Sequence, residues 1–143
     1  MSDIKITGVR AIETAPQKGS NLIIVRIDTN QPGLYGLGCA TYTQRHAAVV
    51  TAINVYMDQL LRGRDALDVE DAYYSMVNSS YWRNGPVLNN AISGCDIALW
   101  DILGKVANMP VYRLLGGKQR ACVPVYRHAN GSCPEELEDN VRA

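Results

Sequence analysis

Neither sign of charge predominates in this chain: fourteen Lys plus Arg face fourteen Asp plus Glu. No net positive field therefore exists to recruit nucleic acid or an anionic membrane surface. No stretch approaches the roughly 20 apolar residues of a membrane span, and Met1-Ser2-Asp3 does not open a signal peptide. The expectation is a cytoplasmic protein with neither nucleic acid nor membrane as partner. Histidine is scarce. His46 and His128 are the only two, and neither stands in a recognisable serine-histidine-acid context, which argues against a self-contained hydrolase. The four cysteines, Cys39, Cys95, Cys122 and Cys133, form no C-x-x-C pair and no cluster with ligand spacing, so all are read as reduced thiols. Gly36 and Gly38 lack the third glycine of a dinucleotide loop, whose place Thr41 takes.

What is present is enough apolar content, 47% over 143 residues, to bury a core of single-domain size. Ile4 to Thr14, Leu22 to Asp28 and Leu34 to Thr41 read as strands, and Thr29-Asn30-Gln31-Pro32-Gly33 as a turn, which together predict an antiparallel meander. From Arg45 the period changes. Val49, Ile53, Tyr56, Met57 and Leu60 mark a helix ending near Arg62-Gly63, with His46 exposed at its start. A second helix is predicted over Asp68 to Asn78, where Asp68, Glu70 and Asp71 crowd the positive end of the dipole as solvated starters rather than a metal cluster. In the third helix Leu88, Ala91, Ile92, Cys95, Leu99, Ile102, Leu103 and Val106 share one stripe. Ile97, flanked by Ser93 and Gly104, lies opposite, which predicts cover on two sides. Asp96 borders the stripe and should have a hydrogen-bonded or ion-paired partner. The loop Ser79-Ser80-Tyr81-Trp82-Arg83-Asn84-Gly85-Pro86 admits two readings, a ligand-lining loop or an aromatic anchor.

Towards the end, Cys122 to His128 reads as a strand, and Ser132-Cys133-Pro134-Glu135 as a capping box that opens a further helix. A strand and a helix start with no later parallel strand suggest the opening of a β/α barrel, which takes about 250 residues when whole.

The run Ala91-Ile92-Ser93-Gly94-Cys95-Asp96-Ile97-Ala98-Leu99-Trp100-Asp101-Ile102-Leu103-Gly104-Lys105, with Met109-Pro110-Val111-Tyr112-Arg113-Leu114-Leu115-Gly116-Gly117 after it, resembles the enolase superfamily. Tyr81-Trp82-Arg83-Asn84-Gly85-Pro86-Val87 and His128-Ala129-Asn130-Gly131 resemble its D-mannonate dehydratase group of sugar-acid dehydratases. The resemblance implies an α+β fold: an N-terminal capping domain over residues 1–117, in which a three-stranded meander precedes helices, then the first strand and helix start of an otherwise missing barrel over 118–143. It further implies a hydro-lyase that removes the proton α to a carboxylate and expels a β-hydroxyl, leaving a 2-keto-3-deoxy acid. Mg²⁺ and every catalytic residue would belong to the missing barrel, with no metal ligand and no catalytic group in this chain. What this chain would supply is contact with a sugar acid, through Thr43 and Gln44 of the capping loop and His128 after the first barrel strand. The group's commoner pattern has Asn-Gly where Thr43-Gln44 stands, which bears on the choice of substrate. A homo-oligomer is expected of the full-length protein. The competing reading is a non-catalytic binding or scaffolding module with the same capping fold.

Overall fold

The computed structural model describes residues 2–17, 20–126 and 128–142, without the side chains of residues 16, 17 and 20. Three antiparallel strands, β1 (Ile6–Gln17), β2 (Ser20–Thr29) and β3 (Tyr35–Cys39), form a sheet in sequence order. The meander is as the alternation predicts. Ile23, Val25 and Ile27 point to one face and are fully buried, while Arg26 and Asp28 occupy the other as a 2.7 Å ion pair. Gly33, at φ 78°, makes the β2–β3 turn, a conformation that costs glycine little.

The helices cover the buried face. A 3₁₀ turn, Thr43–Arg45, runs into α1 (His46–Thr51), a π-helical stretch (Ala52–Met57) and α2 (Asp58–Leu61). Then come α3 (Val69–Val77), α4 (Pro86–Val106), α5 (Val111–Leu114) and α6 (Pro134–Arg142). Helix α4 lies on β3 at unusually close range. A Cβ on Gly36 would fall 1.9 Å from the Ala98 carbonyl oxygen, and one on Gly38 2.0 Å from that of Gly94. The two glycines that could suggest a nucleotide loop are thus the seat of a helix. Gly94 answers from the helix side, where a Cβ would meet Val25 and Ala40.

Both sheet edges are closed by helix side chains, which blunts the pairing hazard of open edges. On β1, the Val9 amide donates to Asp58 Oδ1 (2.7 Å) and the Ala11 amide to Asn54 Oδ1 (2.8 Å), while Arg62 donates to the Thr7 carbonyl. On β3, the Leu37 amide donates to Asp101 Oδ2 (2.9 Å) and Lys105 donates to the Tyr35 carbonyl (2.6 Å). Near the chain start, buried Asp65 accepts from the Ser2 amide and hydroxyl (2.5 Å each) and from the Leu67 amide (3.0 Å), with Lys5 at 3.5 Å. Burial alone would raise its pKa. Those donors and Lys5 outweigh burial and hold it at about 2.

Several expectations need correction. Asp96 has no hydrogen bond or ion pair among the described residues; burial, then the charge of Glu70, pushes its carboxyl pKa up instead. The Ile97 face is open, with Ile97 45% exposed, and Val106 leaves the buried stripe at 42%. Gly104 is covered by the chain's own turn, where a Cβ would lie 2.8 Å from the Met109 carbonyl. His46 is half-buried, not exposed. The acid closing on Ser132 is Glu136, whose Oε2 accepts from the Ser132 amide at 2.8 Å, in place of Glu135. Residues 122–126 and 128 make no ladder, because a strand exists only through a neighbour's hydrogen bonds and the described residues offer this segment none. Arg127, inside that expected strand, lies outside the described residues.

Candidate functional site

The capping loop begins where β3 leaves the sheet. The Ala40 amide donates to the Ile23 carbonyl (2.9 Å) and the Ile23 amide to Thr41 Oγ1 (3.1 Å), so the exit point is fixed to the central strand. Beyond it the Arg45 amide donates to the Tyr42 carbonyl (3.1 Å), closing the 3₁₀ turn. Thr43, Gln44 and Arg45 are exposed. Their polar atoms engage one another: Thr43 Oγ1 donates to Gln44 Oε1 (3.3 Å), and Arg45 Nη1 to the Gln44 carbonyl (2.7 Å). A hydroxyl, an amide and a guanidinium therefore stand together on an exposed turn, a set that can hydrogen-bond hydroxyls and a carboxylate.

A second surface lies at the same end. Gly36 sits against Ala98 and Gly38 against Gly94, so α4 runs antiparallel to β3. Its first two turns, and the loop before them, project past Cys39. In that loop Tyr81 and Trp82 are 88% and 83% exposed and meet edge to face at 5.3 Å. They do not anchor the loop to the core, which removes one of its two readings. Asn84 and Gly85, at φ 73° and 96°, bend the chain into α4. Between this loop, α3 and α4 lies a cleft of about 380 Å³, lined among others by Tyr73, Trp82, Arg83, Ser93 and the unpaired Asp96. Sequence reasoning placed Asp96 at the stripe's edge and Arg83 in a loop; that they border one cleft follows from the packing of α3 on α4.

His128 is exposed, its ring edge-on to Tyr126 at 5.1 Å. No hydrogen bond among the described residues joins it to Thr43 or Gln44, whereas those two are bonded to each other. The four thiols are free; burial, helped by the charge of Asp96, pushes Cys95 up to about 12, which makes it a core residue and not a nucleophile. Among the described residues no three His, Cys, Asp or Glu side chains converge as a metal would require.

Residues 7–116 match the mandelate racemase / muconate lactonizing enzyme, N-terminal domain. The chain belongs to that family. The sheet and helices α1 to α5 are the capping domain of the enolase superfamily. A D-galactonate dehydratase family member from Salmonella virchow is 58% identical over all 143 residues, and one from Enterocloster bolteae is 56% identical over 139 residues, or 97% of this chain. Among solved structures, an enolase from Pantoea ananatis with bound D-gluconate and Mg is 54% identical, with a TM-score of 0.88 over 98% of this chain. An enolase superfamily member from Salmonella Typhimurium is 33% identical, with a TM-score of 0.74 over 82% of this chain and 30% of its own. The chain covers 34% of the Salmonella virchow, Enterocloster and Pantoea proteins, so it spans about a third of the length of the curated relatives it matches.

Proposed function

We propose that this chain is the substrate-covering part of a sugar-acid dehydratase of the enolase superfamily, acting on an aldonate of the mannonate or gluconate kind. The observation that carries the reading is the 54% identity over 98% of the chain to an enolase with bound D-gluconate and Mg, joined to an exposed polar turn at the end of the sheet. Thr43 and Gln44 are assigned to the hydroxyls of the acid from the cap. His128 is assigned to it from the following segment. Proton abstraction, loss of the β-hydroxyl and Mg²⁺ belong, on this reading, to the part of the protein that the relatives have beyond the matched third. The cap contributes binding and exclusion of water, and a site's polar groups must match the hydroxyls of its substrate one by one. A cytoplasmic, homo-oligomeric enzyme completes the reading.

The test is a panel of aldonic acids assayed with the full-length protein, its Thr43→Asn/Gln44→Gly variant and its His128→Asn variant. We expect His128→Asn to lower kcat/KM by at least about tenfold, because losing one polar contact to substrate costs on the order of 1 to 3 kcal/mol. The loop variant should move the ranking of epimers toward mannonate. Unchanged rates and ranking in all three proteins, at equal melting temperature, would remove these residues from the site. No dehydration of any acid would favour the non-catalytic module.

A further inference from the structure

The turn that bears Thr43 and Gln44 is held by very little of its own. It has no side-chain cap at Tyr42, and α1 begins without one at Arg45, whose φ of −141° and ψ of 34° lie outside the helical region. On the entry side the chain is pinned by Thr41 on β2. On the exit side the first residue of α1 is His46. Its Nδ1 is shut off from solvent and lies 2.6 Å from Glu13 Oε1 on β1. Among the described residues Nδ1 has no aligned hydrogen-bond partner, so the two side chains meet by close contact and not by an aligned hydrogen bond. The same Glu13 oxygen accepts from Asn21 Nδ2 on β2 (3.2 Å), which fixes the carboxylate on the sheet.

His46 also belongs to a longer pattern. His46, Asn54 and Asp58 face Glu13, Ala11 and Val9 in turn, so one helical stripe follows β1 residue pair by residue pair. Residues twelve apart in an unbroken α-helix end about 120° out of phase. The π-helical stretch Ala52–Met57, closed by the Asp58 amide donating to the Ile53 carbonyl, lies between them. Each residue of such a widened turn advances the helix by less than an α-residue does, which takes up that excess and returns His46 to the β1 edge.

We propose that His46 is a positioning residue: paired with Glu13, it sets where the Thr43-Gln44 turn stands over the substrate. This rests on the dehydratase reading for what the turn touches, though not for the pairing itself. It predicts that weakening the pair spoils substrate binding more than chemistry, because a misplaced contact loses affinity without altering the reacting groups.

The experiment uses the full-length protein with His46→Gln, Glu13→Gln and the double variant. Each single variant should raise KM for the preferred acid by about tenfold with a far smaller change in kcat, and the double variant should add nothing further. Amide hydrogen exchange over residues 41–47 should quicken by about tenfold in both single variants, with the rest of the sheet unchanged. Wild-type KM and wild-type exchange in the variants overturn the proposal. So does a raised KM with unchanged exchange, which makes His46 a direct contact. If the wild-type protein dehydrates no acid, the dehydratase reading fails alone, and the exchange rates still decide whether the pair holds the turn.

Discussion

Asp65 offers the sharpest test of how the chain start is held. Its carboxylate accepts three hydrogen bonds and faces Lys5, and its pKa falls from 3.8 to about 2. At about 1.36 kcal/mol per unit the full linkage is roughly 2.5 kcal/mol. The side chain is only 4% exposed, and the effective dielectric of a protein site trims this to about 1 to 2 kcal/mol. The sign follows from a depressed folded value: the contribution is whole above the unfolded pKa and fades as pH falls through the folded one. About half should be gone by pH 3. Urea unfolding of the wild type and Asp65→Asn at pH 7, 4.5 and 3 reads it directly. The gap between the two proteins should be widest at pH 7 and roughly halved at pH 3. A gap that stays constant across the three values would show that the carboxylate charge is not what Ser2, Leu67 and Lys5 recognise.

Gly38→Ala should cost more than 3 kcal/mol or prevent folding, since its Cβ would fall 2.0 Å from the Gly94 carbonyl of α4 and overpacking against main chain cannot be relieved by a rotamer change. Gly63→Ala, with nothing near its Cβ but φ at 83°, should cost only about 1 kcal/mol; thermal melts compare the two. The isolated chain should self-associate through the open α4 face, and Ile97→Asp should reduce that association in light scattering, because exposed apolar patches seek cover.

The sheet was legible because each strand alternates against one core: Ile23, Val25 and Ile27 bury while Arg26 and Asp28 stay out, a pattern of period two that needs no tertiary knowledge. The turn at Gly33 and the long helix were legible for the same kind of reason. Asp96 was misjudged because a stripe's edge tells how much a residue is covered, not what covers it. In α4 that edge opens on a cleft, and the charge that acts on Asp96 is that of another carboxylate, Glu70. The strand expected at 122–128 carries strand-forming residues, yet its ladder depends on partners that no local pattern contains. For the candidate site, Thr43 and Gln44 could be placed on an exposed turn after β3. Their relation to His128 could not, since no hydrogen bond among the described residues joins those two segments.

Glu13 and His46 show why the remainder escaped. Read alone, Glu13 is a polar residue on an edge strand and His46 a polar residue at a helix start, and both would be left to solvent. Their meeting depends on the phase of the helix against β1, and the phase depends on a π-helical stretch, Ala52–Met57. The apolar positions Val49, Ile53 and Met57 are spaced by four throughout and remain buried, a spacing an α-helix tolerates for a turn or two before drifting. Two successive steps of four, with a further step of four from Asn54 to Asp58 on the neighbouring face, fit a widened turn better than a regular one. The wider turn keeps the apolar row on the sheet and the polar row on the strand edge at once. A regular helix over the same residues would have to give up one of them.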